Sequence, residues 1–242
     1  MLNILAIAAH PDDVELGCAG TLVKHARKGQ KIGILDLTEG ELGTRGSVEL
    51  RYKESAAAAE LMGVAVRANA RMADGFFRND EEHQRKLIAW IRHFRPEIVI
   101  ANALQDRHPD HGRGGKLIAD SCFFAGLSKI KTEWEGKEQA AWRPRRVLHM
   151  IQDRTFEPTF IVDITEAMDV KVDAIKAYQS QFHNPGSDEP MTYIATAGFI
   201  ENIIARDALW GKRIGVKYGE AFICENLPGI SDLDSLILPE FP

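Results

Sequence analysis

Strands and helices alternate along the first half of the chain. Four apolar runs predict strands, at about 2–9, 31–38, 64–70 and 97–102. Four stretches in which apolar residues recur with the helical period predict helices, at about 14–28, 48–62, 80–94 and 113–127. Gly29 and Gly63 follow the first two helices, where C-terminal caps are expected, and Pro96 ends the third.

The second half of the chain has a less regular pattern. The stretch 129–145 is polar and rich in Lys and Glu, which favours a long loop. Beyond it the pattern predicts two strands, a helix, a turn-rich segment, another helix and a last strand, at about 147–151, 159–164, 165–182, 184–190, 196–210 and 215–222.

This order of elements predicts an α/β fold. Strands that alternate with helices form βαβ units, so we expect a Rossmann-like, wound and mostly parallel sheet with helices on both faces. We assign residues 1–242 to a single domain, with a core over about 1–128 and a small C-terminal α/β addition over about 146–242.

Composition and charge narrow the class of protein. The chain is 45% hydrophobic and 27% charged, which is typical of a globular protein with a full core. Its net charge of −5, from 30 basic and 35 acidic residues, argues against a nucleic-acid partner. The first residues lack the features of a signal peptide or membrane span, and the 3 cysteines are widely spaced, so we expect a cytoplasmic protein with reduced thiols and no membrane partner.

Two short polar segments carry the chemistry. His10-Pro11-Asp12-Asp13 follows the first predicted strand, and Asp106-Arg107-His108-Pro109-Asp110-His111 follows the fourth. The carboxyl ends of strands in a wound sheet form the ligand-binding edge, so the two segments should meet there. Imidazole and carboxylate groups suit zinc and similar ions, and a hydrolytic site needs about three such ligands, a place for water and a spare carboxylate as its base. The sequence therefore predicts a metal-dependent hydrolase.

Other roles for these residues stay open as alternatives. Asp12 or Asp13 could cap the helix that follows, which is a common position for Asp. An Asp110 carboxylate bonded to His108 would orient that ring so that it can donate a proton, but His108 could instead be a metal ligand with Asp110 as its support.

The two segments resemble the motifs of the LmbE-like (PIG-L) zinc-dependent N-deacetylases. The resemblance covers most of the chain. The chain is most similar to the bacillithiol-biosynthesis branch of this family, which removes acetate from N-acetylglucosaminyl malate. The further stretches that carry it are Asp36–Gly40, Arg51 with Glu54, Asp163-Ile164, Ser180–Phe182 and Ile214–Phe222.

The resemblance implies a role for each residue of the two segments. His10, Asp13 and His111 would bind one Zn²⁺ per chain, and Asp12 would be the general base that activates water. His108, oriented by Asp110, would support the oxyanion or protonate the leaving amine. The resemblance also implies a small-molecule N-acetyl amino sugar conjugate as substrate and a homo-oligomer such as a hexamer.

Three arginines are implied substrate contacts. Arg51 and Arg107 would bind the carboxylates of the substrate, because a guanidinium matches a carboxylate with two hydrogen bonds. An ordinary surface ion pair with Glu54 is the alternative for Arg51. Arg146 would reach a neighbouring subunit's site, with a salt bridge at the start of a strand as its alternative. Some relatives carry a tyrosine that helps to hold the oxyanion at the position where this chain has Phe199, and Tyr193 is nearby.

Other functions fit the sequence less well. A nucleotide-binding Rossmann protein needs a glycine-rich turn after the first strand, and the carboxylates found there would repel a pyrophosphate. A non-catalytic structural zinc site is normally closed by four ligands rich in cysteine, and none of the cysteines is near the two segments. A deacetylase of another N-acetyl amino sugar, such as diacetylchitobiose, would use the same chemistry and stays an alternative.

Overall fold

The computed structural model describes residues 1–183, 186 and 188–238. Its strands are β1 (Ile4–Ala8), β2 (Ile32–Asp36), β3 (Val66–Asn69), β4 (Ile98–Ala101), β5 (Glu133–Trp134), β6 (Lys137–Glu138), β7 (Arg146–Met150), β8 (Phe160–Asp163) and β9 (Gly219–Ile223). Its α-helices are α1 (Asp13–Arg27), α2 (Val48–Met62), α3 (Glu81–Phe94), α4 (Pro109–Ala125), α5 (Met168–Lys176) and α6 (Phe199–Arg213). Two short 3₁₀ helices cover Thr165–Ala167 and Leu233–Leu236.

The core is a mostly parallel sheet in the order β3-β2-β1-β4-β7-β9-β8, which confirms the predicted fold class. The strands from β3 to β7 are parallel, whereas β9 runs antiparallel to both β7 and β8. Ile4 of β1 lies opposite Ile32 of β2 and Ile98 of β4, so these three central strands start in register. Their carboxyl ends therefore meet at one edge.

Helices cover both faces of this sheet. Along β1, alternate side chains point to opposite faces. Ala6 belongs to an apolar core shared with α1, α2, α5 and α6, and Leu5 belongs to a second core shared with α3 and α4. In the part of the chain that the structure describes, no helix is long and apolar enough to cross a bilayer.

A buried charge cluster attaches the C-terminal elements to α1. The Nζ atom of Lys171 lies 2.7 Å from a carboxylate oxygen of Asp207 and 2.7 Å from one of Glu220, and all three side chains are fully buried. Glu220 also accepts hydrogen bonds from the backbone N–H groups of Gly20 and Thr21, at 2.9 and 2.7 Å. We propose on this basis that residues after 146 belong to the same domain as the core.

Some predicted boundaries are wrong. Helix α4 begins at Pro109 instead of 113, because Pro suits the first turn of a helix, and His108 is the N-cap. The predicted loop 129–145 contains the β5–β6 hairpin, whose turn residues Glu135 and Gly136 have left-handed φ angles of 50° and 75°. Helix α5 ends at Lys176 instead of 182. The turn-rich segment 184–190 includes residues 184, 185 and 187, which lie outside the described residues.

Candidate active site

The candidate site lies where the sheet changes its direction of winding. The chain passes from β1 to β2 and β3 on one side, and then returns to place β4 on the other side of β1. Ligand sites of wound sheets form at this point, beyond the strand ends. A cavity of about 290 Å³ opens there, and both polar segments line it. This volume is close to the lower end of the range for small-molecule sites, about 300–1,000 Å³.

The turn after β1 holds Asp12 in a strained conformation. Asp12 has φ 113° and ψ −27°, a region that residues other than glycine seldom adopt. It occupies the N-cap position of α1, but its carboxylate makes no capping hydrogen bond, so the capping interpretation is wrong for this side chain. The Asp12 side chain lines the cavity and lies 3.7 Å from Nη1 of Arg51. The strained turn therefore directs toward the cavity a carboxylate that does not cap the helix.

The Asp13 carboxylate lies between two imidazole rings. Its Oδ1 is 2.9 Å from Nε2 of His111, and its Oδ2 is 3.5 Å from Nδ1 of His10. Asn102 and Gln152 donate side-chain hydrogen bonds to the same carboxylate, at 3.2 and 3.1 Å. Segments after β1, β4 and β7 therefore hold Asp13 in one orientation.

Each imidazole also contacts a carboxylate through its other nitrogen. Nδ1 of His111 lies 2.5 Å from Oδ2 of Asp106, and Nε2 of His10 lies 3.0 Å from Oδ1 of Asp74. A carboxylate behind a metal-ligating histidine fixes its tautomer and its orientation. The sequence interpretation gave Asp106 no role, although its position five residues before His111 was a usable signal.

The structure corrects the predicted contact between Asp110 and His108. The Asp110 carboxylate accepts a hydrogen bond from the Gly75 N–H at 2.9 Å, pairs with Arg113 at 2.9 Å and lies 3.4 Å from Nε2 of His10. It is the backbone N–H of Asp110 that donates to Nδ1 of His108, at 3.3 Å. The carboxylate is turned away because α4 begins at Pro109 and places Asp110 in its first turn. With Nδ1 accepting, the neutral His108 ring carries its proton on Nε2.

The donor atoms suit a divalent cation. Among the described residues, two sets bring one ligand atom each within 4.8 Å of one another: His10 with His108 and His111, and His10 with Asp74 and Asp110. Asp13 contacts both His10 and His111 through different oxygens. Mixed imidazole and carboxylate donors with carboxylates behind them are the usual environment of zinc. Since Asp13 and His108 both lie beside the two histidines, our assignment of Asp13 as the third ligand stays a proposal.

The pKa shifts reflect this excess of carboxylates. Burial lowers the pKa of His111, but the Asp13 charge and the hydrogen bond to Asp106 outweigh it and raise the pKa to about 9. Burial also lowers the pKa of His10, but its hydrogen bonds to Asp110, Asp13 and Asp74 outweigh burial and hold the pKa well above the usual value. The cluster therefore favours positive charge at the two rings, and a bound cation would supply that charge in place of their protons.

Asp12 and His108 have pKa shifts that favour their neutral forms, unlike the shifts of His10 and His111. Burial raises the pKa of Asp12 to about 7, against the charge of Arg51, which lowers it. Burial and the charges of His10 and His111 lower the pKa of His108. Asp12 can therefore exchange a proton near neutral pH, as a base requires, and the lowered pKa of His108 favours its neutral ring, which can donate a hydrogen bond.

The three predicted arginines have different positions. Arg51 is 7% exposed, lines the cavity and donates to the Pro11 carbonyl at 3.0 Å and to Gln181. The surface ion pair with Glu54 is wrong, because Glu54 accepts from Ser180. Arg107 lies at the rim of the cavity.

Arg146 is outside its own chain's site. It is the first residue of β7 and lies opposite Ile98, at the edge of the sheet away from the cavity. Its described side-chain contact is a hydrogen bond to the Arg145 carbonyl at 3.4 Å. A role in a neighbouring subunit's site stays a prediction.

Phe199 and Tyr193 form an aromatic wall of the cavity. Their ring centroids are 5.5 Å apart in an edge-to-face arrangement, and both line the cavity. The Tyr193 hydroxyl donates to Oδ1 of Asp153 at 2.7 Å. That hydroxyl is therefore already engaged, and its use for the oxyanion would require it to leave Asp153.

Comparisons with known proteins agree with this geometry. The model of the GlcNAc-PI de-N-acetylase (PIG-L) family matches residues 5–122, which include both polar segments. The diacetylchitobiose deacetylase of Thermococcus kodakarensis is 29% identical over 94% of this chain and 84% of its own length.

Two solved structures are similar over nearly the whole chain. The conserved protein TT1542 from Thermus thermophilus superposes with a TM-score of 0.85 at 35% identity, covering 95% of this chain and 97% of that one. The N,N'-diacetylchitobiose deacetylase from Pyrococcus horikoshii gives a TM-score of 0.77 at 26% identity, covering 91% and 82%. The chain therefore belongs to the PIG-L family of de-N-acetylases, and it is an enzyme that hydrolyses amide bonds.

Proposed function

We propose that the protein removes the acetyl group from an N-acetylglucosaminide and that zinc is its metal. The family match and the relatives that act on N-acetylated sugars support the substrate class. The mixture of imidazole and carboxylate donors supports zinc.

One observation carries this proposal: two segments nearly 100 positions apart converge on a single point in the cavity. Asp13 from the end of β1 contacts His111 from the end of β4 at 2.9 Å. Asp12, directly before Asp13, lines the same cavity with a carboxylate that caps no helix. A metal position with a spare base next to it is what amide hydrolysis requires.

In this reaction His10, Asp13 and His111 would hold the zinc. A zinc ion bound there would polarise the amide carbonyl and make water more acidic. Asp12 would take the proton of the attacking water, and its burial, which raises the pKa of the metal-free protein's Asp12 to about 7, makes this carboxylate more basic than an ordinary Asp. Arg51, 3.7 Å from Asp12, would keep that carboxylate ionised and in place.

His108 would act next to the metal position, because its ring centre lies 4.7 Å from that of His10 and 5.2 Å from that of His111. Its Nδ1 accepts the Asp110 backbone N–H, so the ring presents Nε2–H to the cavity. This hydrogen can stabilise the oxyanion that forms as the carbonyl carbon becomes tetrahedral. The neutral ring keeps this proton, and the nitrogen of the leaving amine would take the proton that Asp12 received from the attacking water.

Two substrates remain for comparison within this class. N-acetylglucosaminyl malate, the substrate of the bacillithiol branch, carries two carboxylates beyond the sugar. Diacetylchitobiose is uncharged and is the substrate named for two relatives. Assembly into a homo-oligomer such as a hexamer and a cytoplasmic location remain predictions, and light scattering on the purified protein tests the first.

Acetate release tests the proposed activity. We expect the zinc-loaded protein to release acetate from at least one of the two substrates. Asp12→Asn should lose most of this turnover, because general-base contributions are typically about 10²–10⁴-fold. A protein that binds zinc but releases no acetate from either substrate would refute the proposed substrate class.

A further inference from the structure

Three side chains form a closed group at the rim of the cavity, which we call the rim group: Arg107, Asp153 and Tyr193. The Tyr193 hydroxyl donates to Oδ1 of Asp153 at 2.7 Å, and Nε of Arg107 lies 3.3 Å from Oδ2 of the same carboxylate. The Arg107 guanidinium carbon also lies 4.1 Å from the centre of the Tyr193 ring. Each member of the rim group therefore contacts the other two.

The rim group changes what Arg107 offers to a ligand. An arginine at the mouth of a site would ordinarily attract a carboxylate, but here Asp153 already neutralises it. An anionic substrate group would have to displace Asp153 or lie next to its negative charge. The rim is therefore closer to electrically neutral than the presence of Arg107 suggests.

The other arginines of the cavity are engaged as well. Arg206 donates to the carbonyls of Gln152 and Leu16, at 3.0 and 2.7 Å, and pairs with the buried carboxylate of Asp207. Arg51 is buried and lies against Pro11 and Asp12. Among the described residues that line the cavity there is no lysine, and each of the three arginines already contacts a carboxylate.

The same rim offers an apolar surface. The Tyr193 side chain is 50% exposed, and its ring stands against Phe199 inside the cavity. Ile194 and Ile203 line the cavity beside them. Aromatic side chains provide a large contact area for ligands that combine apolar and polar groups, and the C–H face of a sugar ring is such a surface.

We infer that Asp153 is a specificity-determining residue, which reserves the outer part of the cavity for an uncharged ring such as a second sugar and disfavours a dicarboxylate. The inference rests on the proposed deacetylase function and names the substrate class. The backbone N–H of Asp153 donates to Oδ1 of Asp106 at 3.1 Å, so the main chain stays anchored when the side chain is changed.

The test compares kcat/KM for N,N'-diacetylchitobiose and N-acetylglucosaminyl malate in four zinc-loaded proteins. These are the wild type, Asp153→Asn, Asp153→Ser and the control Asp169→Asn, which removes an exposed carboxylate outside the cavity. The wild type should prefer the uncharged substrate. Both Asp153 variants should shift the ratio toward the malate conjugate by about 10- to 100-fold, because Arg107 then forms a charged hydrogen bond with it.

The inference is overturned if the wild type prefers the malate conjugate, or if the Asp153 variants shift the ratio no further than Asp169→Asn. Competitive inhibition by free malate gives an independent reading, since it should strengthen in both Asp153 variants and stay weak in the wild type. Absence of acetate release from both substrates in the wild type would reject the proposed function itself. That outcome differs from a wrong preference between two working substrates.

Discussion

Substitution of Asp12 should make the protein more stable and less active at the same time. Asp12 is 6% exposed, and burial raises its pKa from the usual 3.8 to about 7. The folded state therefore binds a proton that the unfolded state releases, so stability falls as the pH rises between these two values. A shift of this size corresponds to roughly 4 kcal/mol of lost stability above pH 7.

Asp12→Asn removes this cost and keeps the shape of the side chain. Asn also tolerates positive φ better than most residues, so the turn should persist. Most of this loss of stability occurs between pH 5 and pH 7. The wild type should therefore lose about 3 kcal/mol relative to the variant between pH 5 and pH 8. Urea unfolding of both metal-free proteins at several pH values measures this difference. Parallel pH profiles for the two proteins would show that the Asp12 charge does not destabilise the fold, and full turnover in the variant would show that Asp12 is not the base.

Two further substitutions test the support of the site and of the fold. Asp106→Ala removes the carboxylate behind His111, and we expect zinc affinity to fall by about 10- to 100-fold in a chelator competition; unchanged affinity would remove Asp106 from the metal site. Lys171→Met leaves Asp207 and Glu220 buried without their shared cation. We expect a loss of about 3–5 kcal/mol in urea unfolding, and an unchanged midpoint would contradict a stabilising role for the cluster.

The sequence predicted most of the elements around the site because their signals are local. Helix α2 has the predicted bounds, since Gly63 ends it in a left-handed conformation. The parallel order of the core strands follows from the alternation of strands and helices. The place of both polar segments follows from the same alternation, since each comes directly after a buried strand.

The remaining features depend on contacts that a sequence does not contain. Whether the Asp110 carboxylate faces His108 or His10 depends on where α4 begins, which the hydrophobic pattern placed four residues too late. The alternative of a surface ion pair between Arg51 and Glu54 follows from their spacing of one helical turn, yet both residues are buried beneath the C-terminal segment around Gln181. The placement of β9 between β7 and β8 likewise depends on pairing between distant parts of the chain.

A zinc titration of the metal-free protein, read as acetate release and as bound metal, is the sharpest test of the proposed zinc-dependent hydrolysis. Activity should rise with zinc up to about one ion per chain. His10→Ala, Asp13→Ala and His111→Ala should each lose bound zinc, whereas Asp12→Asn should keep zinc and lose turnover. His108→Ala should also keep zinc if Asp13 is the third ligand. Full zinc occupancy in Asp13→Ala would remove Asp13 from the ligand set, and acetate release that does not depend on metal would rule out zinc-dependent hydrolysis.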